Sequence, residues 1–168
     1  MVHDTAMSQY IPPTLMHYVL GTWTDAAGAV AGTIARAMAD PGVPGVSAVV
    51  NVPVLVPSNS VALKGAYLKS IEIDYQILTA ACTSVTPVVN KVTRGVDGTV
   101  VAVAAQTFTQ TPTLAVSDDV DEHKLILTIT TPFWLLNTEY VLVELTFVAP
   151  NTTTIKMLGA VANFTERM

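Results

Sequence analysis

The feature that most restricts the fold is the alternation of side chains between residues 124 and 150. In residues 124–130 an aliphatic side chain recurs at every second position, and residues 139–148 repeat the pattern. A period of two is typical of a β-strand, because successive side chains of a strand point to opposite faces. The sequence therefore predicts two strands whose apolar faces consist of Leu125, Leu127, Ile129, Val141, Val143, Leu145 and Phe147.

Two prolines mark where these strands are expected to end. Pro132 follows the first stretch and Pro150 follows the second. Proline has no N–H to donate to a sheet, so it is confined to strand ends, sheet edges and bulges. We therefore expect both strands to stop at their proline.

The connection at residues 132–138 is apolar. It contains Phe133, Trp134, Leu135 and Leu136, which are unusual in a loop that faces only water. The sequence predicts that this connection fills one end of the sandwich or contacts a partner. Both interpretations are favoured over a ligand site.

Other strand patterns are separated by turn signals, at residues 15–23, 46–57, 65–78, 84–94, 99–109 and 155–162. In residues 65–78 we expect the apolar side chains to point inward and Glu72 and Asp74 to point outward. Residues 46–57 form a near-continuous apolar run, which predicts burial on both faces, with Pro53 confining the strand to an edge or a bulge. Asp97 and Gly98 predict a hairpin turn, and residues 155–162 are expected to close the sheet. About seven to nine such strands predict an all-β fold, a two-sheet antiparallel β-sandwich.

Residues 24–39 are open to two interpretations. Asp25 can cap a helix, whereas Gly28 and Gly32 each cost a helix about 1 kcal/mol relative to alanine. The balance favours a strand with a bulge or a loop.

The length of 168 residues predicts one domain, preceded by an extended arm. Pro12 and Pro13 favour extended backbone at the end of residues 1–13, and the sandwich is expected over residues 14–168. Arms of this kind often dock on a neighbouring subunit. Tyr10 and Ile11 on the arm, with Phe133, Trp134 and Leu135 in the connection, are the predicted interface residues.

The composition is short of charge. Charged residues make up 12% of the chain and hydrophobic residues 51%, with a mean hydropathy of +0.49. No apolar run reaches the roughly 20 residues of a membrane helix, so the excess predicts surface buried against other copies or another protein, and a homo-oligomer is expected. The 8 basic residues are scattered and the net charge is -5, which disfavours direct binding to nucleic acid.

One acidic cluster precedes the strand at residue 124. Asp118, Asp119 and Asp121 carry carboxylates that could wrap a hard cation such as calcium. The spacing matches no known metal loop, so a solvated loop is the favoured interpretation and no metal or other cofactor is predicted. Glu72 and Asp74 are interpreted in the same way, as a polar strand face rather than a glycosidase pair.

No catalytic residues are predicted. Cys82 has no histidine near it in sequence and is interpreted as a small buried hydrophobe. The three histidines are dispersed, and the chain has no Gly-x-Ser-x-Gly elbow. Trp23 and Trp134 are expected in the core, with a sugar-stacking platform as the alternative.

The run VPSNSVALKGAYLKSIEIDY at residues 56–75, DEHKL at 121–125 and the pair Phe133-Trp134 resemble small jelly-roll-like proteins of phage and environmental viral genomes. The resemblance covers residues 15–165. It implies a jelly-roll-like sandwich located in the virion, as a capsid decoration, capsid-associated or fibre-head protein. It also implies contacts with other virion proteins and favours a trimer, because jelly-roll virion proteins commonly pack around threefold axes.

Three functions follow in order of preference. The first is a non-enzymatic structural protein that self-assembles, which the low charge favours. The second is a carbohydrate- or receptor-binding sandwich, and an enzyme is third. Exposure of Trp23 and Trp134 separates the first two, since a sugar binder should show aromatic rings on a sheet face or loop rim.

Overall fold

The computed structural model describes residues 4–28, 34–38, 46–54, 56, 65–95, 97–112, 118–149 and 153–167. Within these ranges the chain forms twelve strands and one short 3₁₀ helix at Pro13–Leu15. The strands are β1 (Asp4–Ile11), β2 (His17–Leu20), β3 (Trp23–Ala27), β4 (Ile34–Met38), β5 (Val46–Val54), β6 (Ala66–Leu78), β7 (Ser84–Arg94), β8 (Val100–Gln106), β9 (Phe108–Thr111), β10 (Glu122–Trp134), β11 (Glu139–Ala149) and β12 (Thr154–Arg167).

The strands that the structure describes form two antiparallel sheets. Seven belong to one sheet, in the order β3-β4-β12-β6-β10-β9 with β1 also paired to β12, and five to the other, in the order β2-β5-β11-β7-β8. From β5 onward the chain crosses repeatedly between the sheets, which is the jelly-roll-like arrangement of a sandwich. The predicted fold class is confirmed.

The predicted inward faces of β6, β10 and β11 are confirmed. Their alternating apolar side chains are at most 2% exposed: Ile71, Ile73, Tyr75, Ile77, Leu125, Leu127, Ile129, Val141, Val143, Leu145 and Phe147. The ring of Tyr75 on β6 packs edge-on against Phe147 on β11, with centroids 5.3 Å apart, and so joins the two sheets. Each buried side chain of this size contributes about 1.5–3 kcal/mol, so this layer holds the sandwich together.

Strand β12 lies inside its sheet. It pairs with β6 along one edge, and along the other with β4 over residues 155–157 and with β1 over residues 160–167. The predicted final strand at residues 155–162 is therefore present, but it is longer than predicted and lies inside the sheet instead of closing it. Gly159 separates the two partners and has a φ of +151°.

Residues Asp4–Ile11, in the predicted arm, are extended as expected. They form β1 along β12 of the same chain, with Asp4 opposite Arg167 and Ile11 opposite Ala160. Residues 1–3 lie outside the described part.

Strand β10 runs through Pro132, so the predicted stop there is wrong. The pairing of β10 with β6 shifts register between Thr128 and Phe133, and the proline lies inside this irregular stretch. A bulge leaves residues outside the regular ladder, which is why it accepts a residue with no N–H. Pro150 lies outside the described residues, and β11 ends just before it at Ala149.

Strand β5 is buried on one face only, which corrects the prediction of two buried faces. Val50 and Val52 are fully buried, whereas Val49 and Pro53 are half-buried, because the outer face of this antiparallel sheet is turned away from the core. Pro53 lies beyond the last residue pair that joins β5 to β2, so β5 is an edge at this point, in agreement with its proline.

Two predicted strands are each divided. Residues 15–23 contain the end of the 3₁₀ helix, β2 in the five-stranded sheet and the first residue of β3 in the other sheet. Residues 99–109 likewise divide into β8, which pairs with β7, and β9, which pairs with β10. Within residues 24–39, the described residues other than Gly28 belong to β3 and β4, so the preference for strand over helix is confirmed there.

Among the described residues, no helix is long and apolar enough to span a membrane.

Candidate functional site

The outer face of the seven-stranded sheet carries a row of polar side chains across β1, β12, β6 and β10. It arises because β6 alternates, so that Ser70, Glu72 and Asp74 point away from the core while the isoleucines point into it. The predicted outward orientation of Glu72 and Asp74 is confirmed. We call this set of side chains, with Ser8, Asn163 and Lys124, the polar row.

Hydrogen bonds link the polar row from strand to strand. The Ser8 hydroxyl donates to Asn163 Oδ1 at 2.7 Å, and Asn163 Nδ2 donates to Glu72 Oε1 at 2.8 Å and to Ser70 Oγ at 3.3 Å. Lys124 Nζ lies 3.3 Å from Glu72 Oε2. Glu72 is therefore held by an amide on one side and an ammonium on the other, which fixes the outer face across four strands.

Charges in the polar row affect one another. Burial raises the pKa of Asp74 above its ordinary value, and the nearby Lys124 only partly opposes this effect. The hydrogen bond to Glu72, with the negative charges of Asp74 and Glu72, raises the pKa of Lys124. Asp74 is thus a carboxyl whose charged form the fold disfavours.

A groove lies beside the polar row, at the end of the sandwich where β6 begins and β10 and β12 end. Among the described residues, it is lined by Asp4, Ala6, Tyr67, Lys69, Trp134 and Thr165, around a volume of about 420 Å³. We call it the aromatic groove, because the rings of Tyr67 and Trp134 pack together in it with centroids 5.0 Å apart and planes at 43°.

Two strand irregularities meet at the aromatic groove. The pairing of β6 shifts register against both neighbours beside Lys69: against β12 between Asn163 and Phe164, and against β10 between Thr128 and Phe133. Bulges redirect side chains and are common next to binding sites. Here they place Tyr67 and Lys69 on the same hollow as Trp134.

Thr165 is the unusual residue of the groove. It is 6% exposed, and its hydroxyl oxygen has no hydrogen-bond partner. A buried polar group without a partner costs about 1–3 kcal/mol, so native proteins rarely keep one without a reason.

The acidic cluster at Asp118, Asp119 and Asp121, for which a solvated loop was favoured over a cation site, lies in a loop held by backbone hydrogen bonds. Asp118 and Asp121 accept backbone N–H bonds through their main-chain carbonyls, from Cys82 at 2.8 Å and Ile77 at 2.9 Å, and the Asp119 carbonyl lies 2.8 Å from His123 Nε2. Within the described residues, no three histidine, cysteine, aspartate or glutamate side chains converge as metal ligands. These contacts anchor the loop to β6 and to the start of β7.

The five predicted interface residues differ in their exposure. Tyr10 is 53% exposed and its hydroxyl donates to the Leu158 carbonyl at 3.1 Å, whereas Ile11 is fully buried. Phe133 is half-buried against the core, Trp134 lies in the aromatic groove, and Leu135 is 1% exposed. Ile11 and Leu135 therefore pack within this chain.

The exposed edge position of β8 is one feature that sequence reasoning missed, although a strand was predicted there. The strand has no charged side chain and forms one edge of the five-stranded sheet, and residues 100–105 are all exposed. Val100, Val101 and Val103 are 58%, 67% and 59% exposed. Its apolar sequence resembles that of a buried strand, so only the sheet order reveals its position.

A second missed feature is an ion pair between neighbouring strands of the five-stranded sheet, β7 and β11. Lys91 Nζ lies 3.1 Å from Glu139 Oε1 and 5.3 Å from the centroid of the Phe133 ring. The Glu139 side chain is 8% exposed, and its other oxygen accepts the Leu136 N–H at 3.0 Å. A lone lysine and a lone glutamate in separate strands gave no sequence signal for this pairing.

The remaining candidates are structural. Cys82 is buried, and this burial, with a smaller effect from Asp118, raises the pKa of its thiol to about 12, as suits the predicted small hydrophobe. Trp23 is half-buried against Tyr18, with ring centroids 4.7 Å apart, and donates from Nε1 to the Leu20 carbonyl at 2.8 Å. Of the two tryptophans, Trp134 is the one that lines a hollow.

No protein-family model and no curated protein matches the chain. Among solved structures, it is similar to a family 35 carbohydrate binding module from Clostridium thermocellum, with a TM-score of 0.44 and 11% identity over 95% of this chain and 97% of that one. It is also similar to part of an arabinose-bound MgGH51 α-L-arabinofuranosidase, with a TM-score of 0.44 and 9% identity over 92% of this chain and 24% of that one. At these values neither likeness bears on what the chain binds or does.

Proposed function

We propose that the protein is a non-enzymatic structural protein that acts by self-association, with β8 as its principal contact. The observation that carries this proposal is the exposure of β8, an uncharged strand at the edge of a sheet. An edge strand presents unpaired backbone N–H and C=O groups to any strand that approaches it. Soluble proteins normally block such edges with lysine, proline or a covering loop, and β8 contains neither residue.

A second apolar region supplies a surface for β8 to meet. Leu15, Val19, Leu20 and Ile34 are between 50% and 60% exposed, and β2, which contains two of them, is the opposite edge of the same sheet. Contact between unlike edges of successive copies is heterologous, and it closes into a ring when the rotation between copies permits. This arrangement suits a cyclic homo-oligomer, for which a trimer is our preferred state.

The composition supports the same function. With 12% charged residues, the chain has less charge to place on its surface than the roughly 25% of an ordinary soluble domain. The resemblance to jelly-roll-like phage proteins extends the proposal to a location, the virion, and to contacts with other virion proteins as a decoration, capsid-associated or fibre-head component.

Sedimentation velocity at micromolar concentration tests this proposal. We expect a species larger than the 17.8 kDa chain, and we expect Val101→Lys on β8 to weaken association roughly tenfold or more by placing a charge on the edge. Val120→Lys is the matched control, because Val120 is 48% exposed in the loop before β10. A stable wild-type monomer, or equal effects of the two substitutions, would contradict the proposal.

A further inference from the structure

The aromatic groove has the composition of a small-ligand site. Tyr67 and Trp134 offer a pair of packed, half-buried rings, and polar side chains stand around them. Ligand sites typically combine an apolar or aromatic surface with a few placed polar groups. The polar row beside the groove differs from it in composition, because the row consists mainly of polar side chains that are hydrogen-bonded to one another.

The unpartnered hydroxyl of Thr165 is an independent indication of a ligand. Thr165 lies on β12 directly opposite Tyr67, and Ala6 of β1 lies opposite Thr165 on its other side. Valine would fill the same volume without the cost of an unsatisfied hydroxyl, which is about 1–3 kcal/mol. Rotation about χ1 exchanges the hydroxyl with the methyl group, so a ligand in the groove can satisfy it.

The charges around the groove favour a neutral ligand with many hydroxyl groups. Two exposed side chains of opposite charge line the groove, Lys69 as a hydrogen-bond donor and Asp4 as an acceptor with several lone pairs. A hydroxyl group both donates and accepts, which lets it bond to either side chain. A polyanion would meet the carboxylate of Asp4 and a net charge of -5 on the chain.

From these observations we propose that the aromatic groove binds a neutral carbohydrate. The apolar face of one sugar ring packs on Trp134 and Tyr67, and its hydroxyls bond to Lys69, Asp4 and Thr165. The ring face of Trp134 is sufficient for this role, whatever its N–H contacts. This site is separate from β8, which belongs to the other sheet, so it does not depend on the proposed self-association.

The ligand is expected to be an oligosaccharide. The polar row continues from the groove along the same outer face, with Ser70 and Glu72 three and five residues beyond Tyr67. At about 3.3 Å per residue, Glu72 lies roughly 17 Å along the strand from Tyr67, which is room for further sugar units. Chains of several units should therefore bind more tightly than single sugars.

Titration calorimetry with cellohexaose, xylohexaose and maltohexaose tests the site, with polygalacturonate as an anionic comparison. We expect at least one neutral hexaose to bind, and Trp134→Ala to weaken its binding by roughly tenfold, the equivalent of an aromatic contact. Tyr140→Ala is the control for loss of an exposed ring, because Tyr140 is 39% exposed on β11 in the other sheet. It should bind like the wild type.

Two further variants test the carbohydrate site with substitutions that are not expected to destabilise the fold. Lys69→Ala changes an exposed side chain and should weaken binding without changing stability. Thr165→Val should weaken binding while leaving the unfolding midpoint unchanged or raised, because it removes an unsatisfied hydroxyl. The proposal is overturned if none of the three hexaoses binds, if polygalacturonate alone binds, or if Trp134→Ala and Lys69→Ala bind like Tyr140→Ala.

Discussion

At the scale of single residues, Gly159 determines how β12 serves two partners. The strand changes from β4 to β1 at this position, and the Tyr10 ring of β1 lies across it. A side chain there would have its Cβ 2.6 Å from the Tyr10 hydroxyl oxygen, and the φ of +151° is one that other residues rarely adopt. Glycine is therefore required by space and by backbone conformation together.

We expect Gly159→Ala to lower the free energy of unfolding by about 2–3 kcal/mol, measured in urea. Gly98→Ala is the matched control, since Gly98 has a φ of +84° but its nearest neighbour, an Arg94 nitrogen, is 3.9 Å from the added Cβ. This control should cost only about 1 kcal/mol. Replacing Tyr10 by alanine as well should recover part of the loss at Gly159. Equal losses for the two glycines would show that the Tyr10 contact is unimportant.

Asp74 should make stability depend on pH in an unusual direction for a carboxyl. Because burial raises its pKa in the folded state, the protonated form is favoured by folding, and the stability it contributes at low pH is lost as pH rises through the raised pKa. We therefore expect Asp74→Asn to be more stable than the wild type at pH 7 and equal to it near pH 3, below the carboxyl range. Urea unfolding at the two pH values checks this, and a wild type that is the more stable protein at pH 7 would contradict it.

At the scale of strands, local pattern was sufficient for β6, β11 and the first part of β10, residues 123–129, because each has one buried face that imposes a period of two. The local pattern did not predict the position of a strand in the sheet where pairing between distant parts of the sequence decides that position. Strand β12 has the composition of any half-buried strand, yet it lies inside the sheet because β1, β4 and β6 all pair with it. The extended backbone of β1 was predictable from Pro12 and Pro13, which follow it, but its partner was not.

The aromatic groove was only partly predictable for the same reason. Trp134 was named from the sequence as an alternative sugar-stacking residue, although a place in the core was favoured for it. Tyr67, Lys69 and Thr165 carry no shared local signal, since they come from two strands about a hundred residues apart in sequence that only the register brings together. The position of the bulges beside Lys69 also has no counterpart in the sequence other than Pro132.

Strand β1 should contribute to the stability of the folded chain through Ile11. This residue is fully buried in the core, so Ile11→Ala should lower the free energy of unfolding by about 2–5 kcal/mol. Met7, on the same strand, is 43% exposed, and Met7→Ala should cost less than about 0.5 kcal/mol. Urea unfolding, at a protein concentration low enough to keep the chain monomeric, measures the loss of stability in each variant. A small loss for Ile11→Ala would indicate that β1 is loosely held and free to act as an arm.

At the scale of the whole molecule, several apolar side chains lie exposed on the outside of the sandwich, away from its core. The inner faces of the strands account for the buried residues, while β8 on one edge and the region around β2 and β4 remain apolar and exposed. A homo-oligomer that covers these surfaces would be stabilised by association itself, because a partner that binds only the folded chain shifts the folding equilibrium.

The thermal midpoint of the wild type should therefore rise with protein concentration. We expect the midpoint of Val101→Lys to be independent of concentration over the same range, since the charge on β8 opposes association. Differential scanning calorimetry at two concentrations a hundredfold apart measures both. If the midpoints of both proteins are independent of concentration, the apolar surfaces do not take part in contacts between copies.

The pairing of β1 with β12 also has a mechanical consequence. Asp4 and Arg167 lie opposite each other at the same end of an antiparallel pair. A force that pulls these two positions apart loads the residue pairs one after another, so that the strands separate as a zipper opens, at low force. A force between the distal end of β1 and Arg167 instead acts along the strands and loads all the pairs together, in shear. The same eight residue pairs thus resist tension weakly or strongly according to where the chain is held.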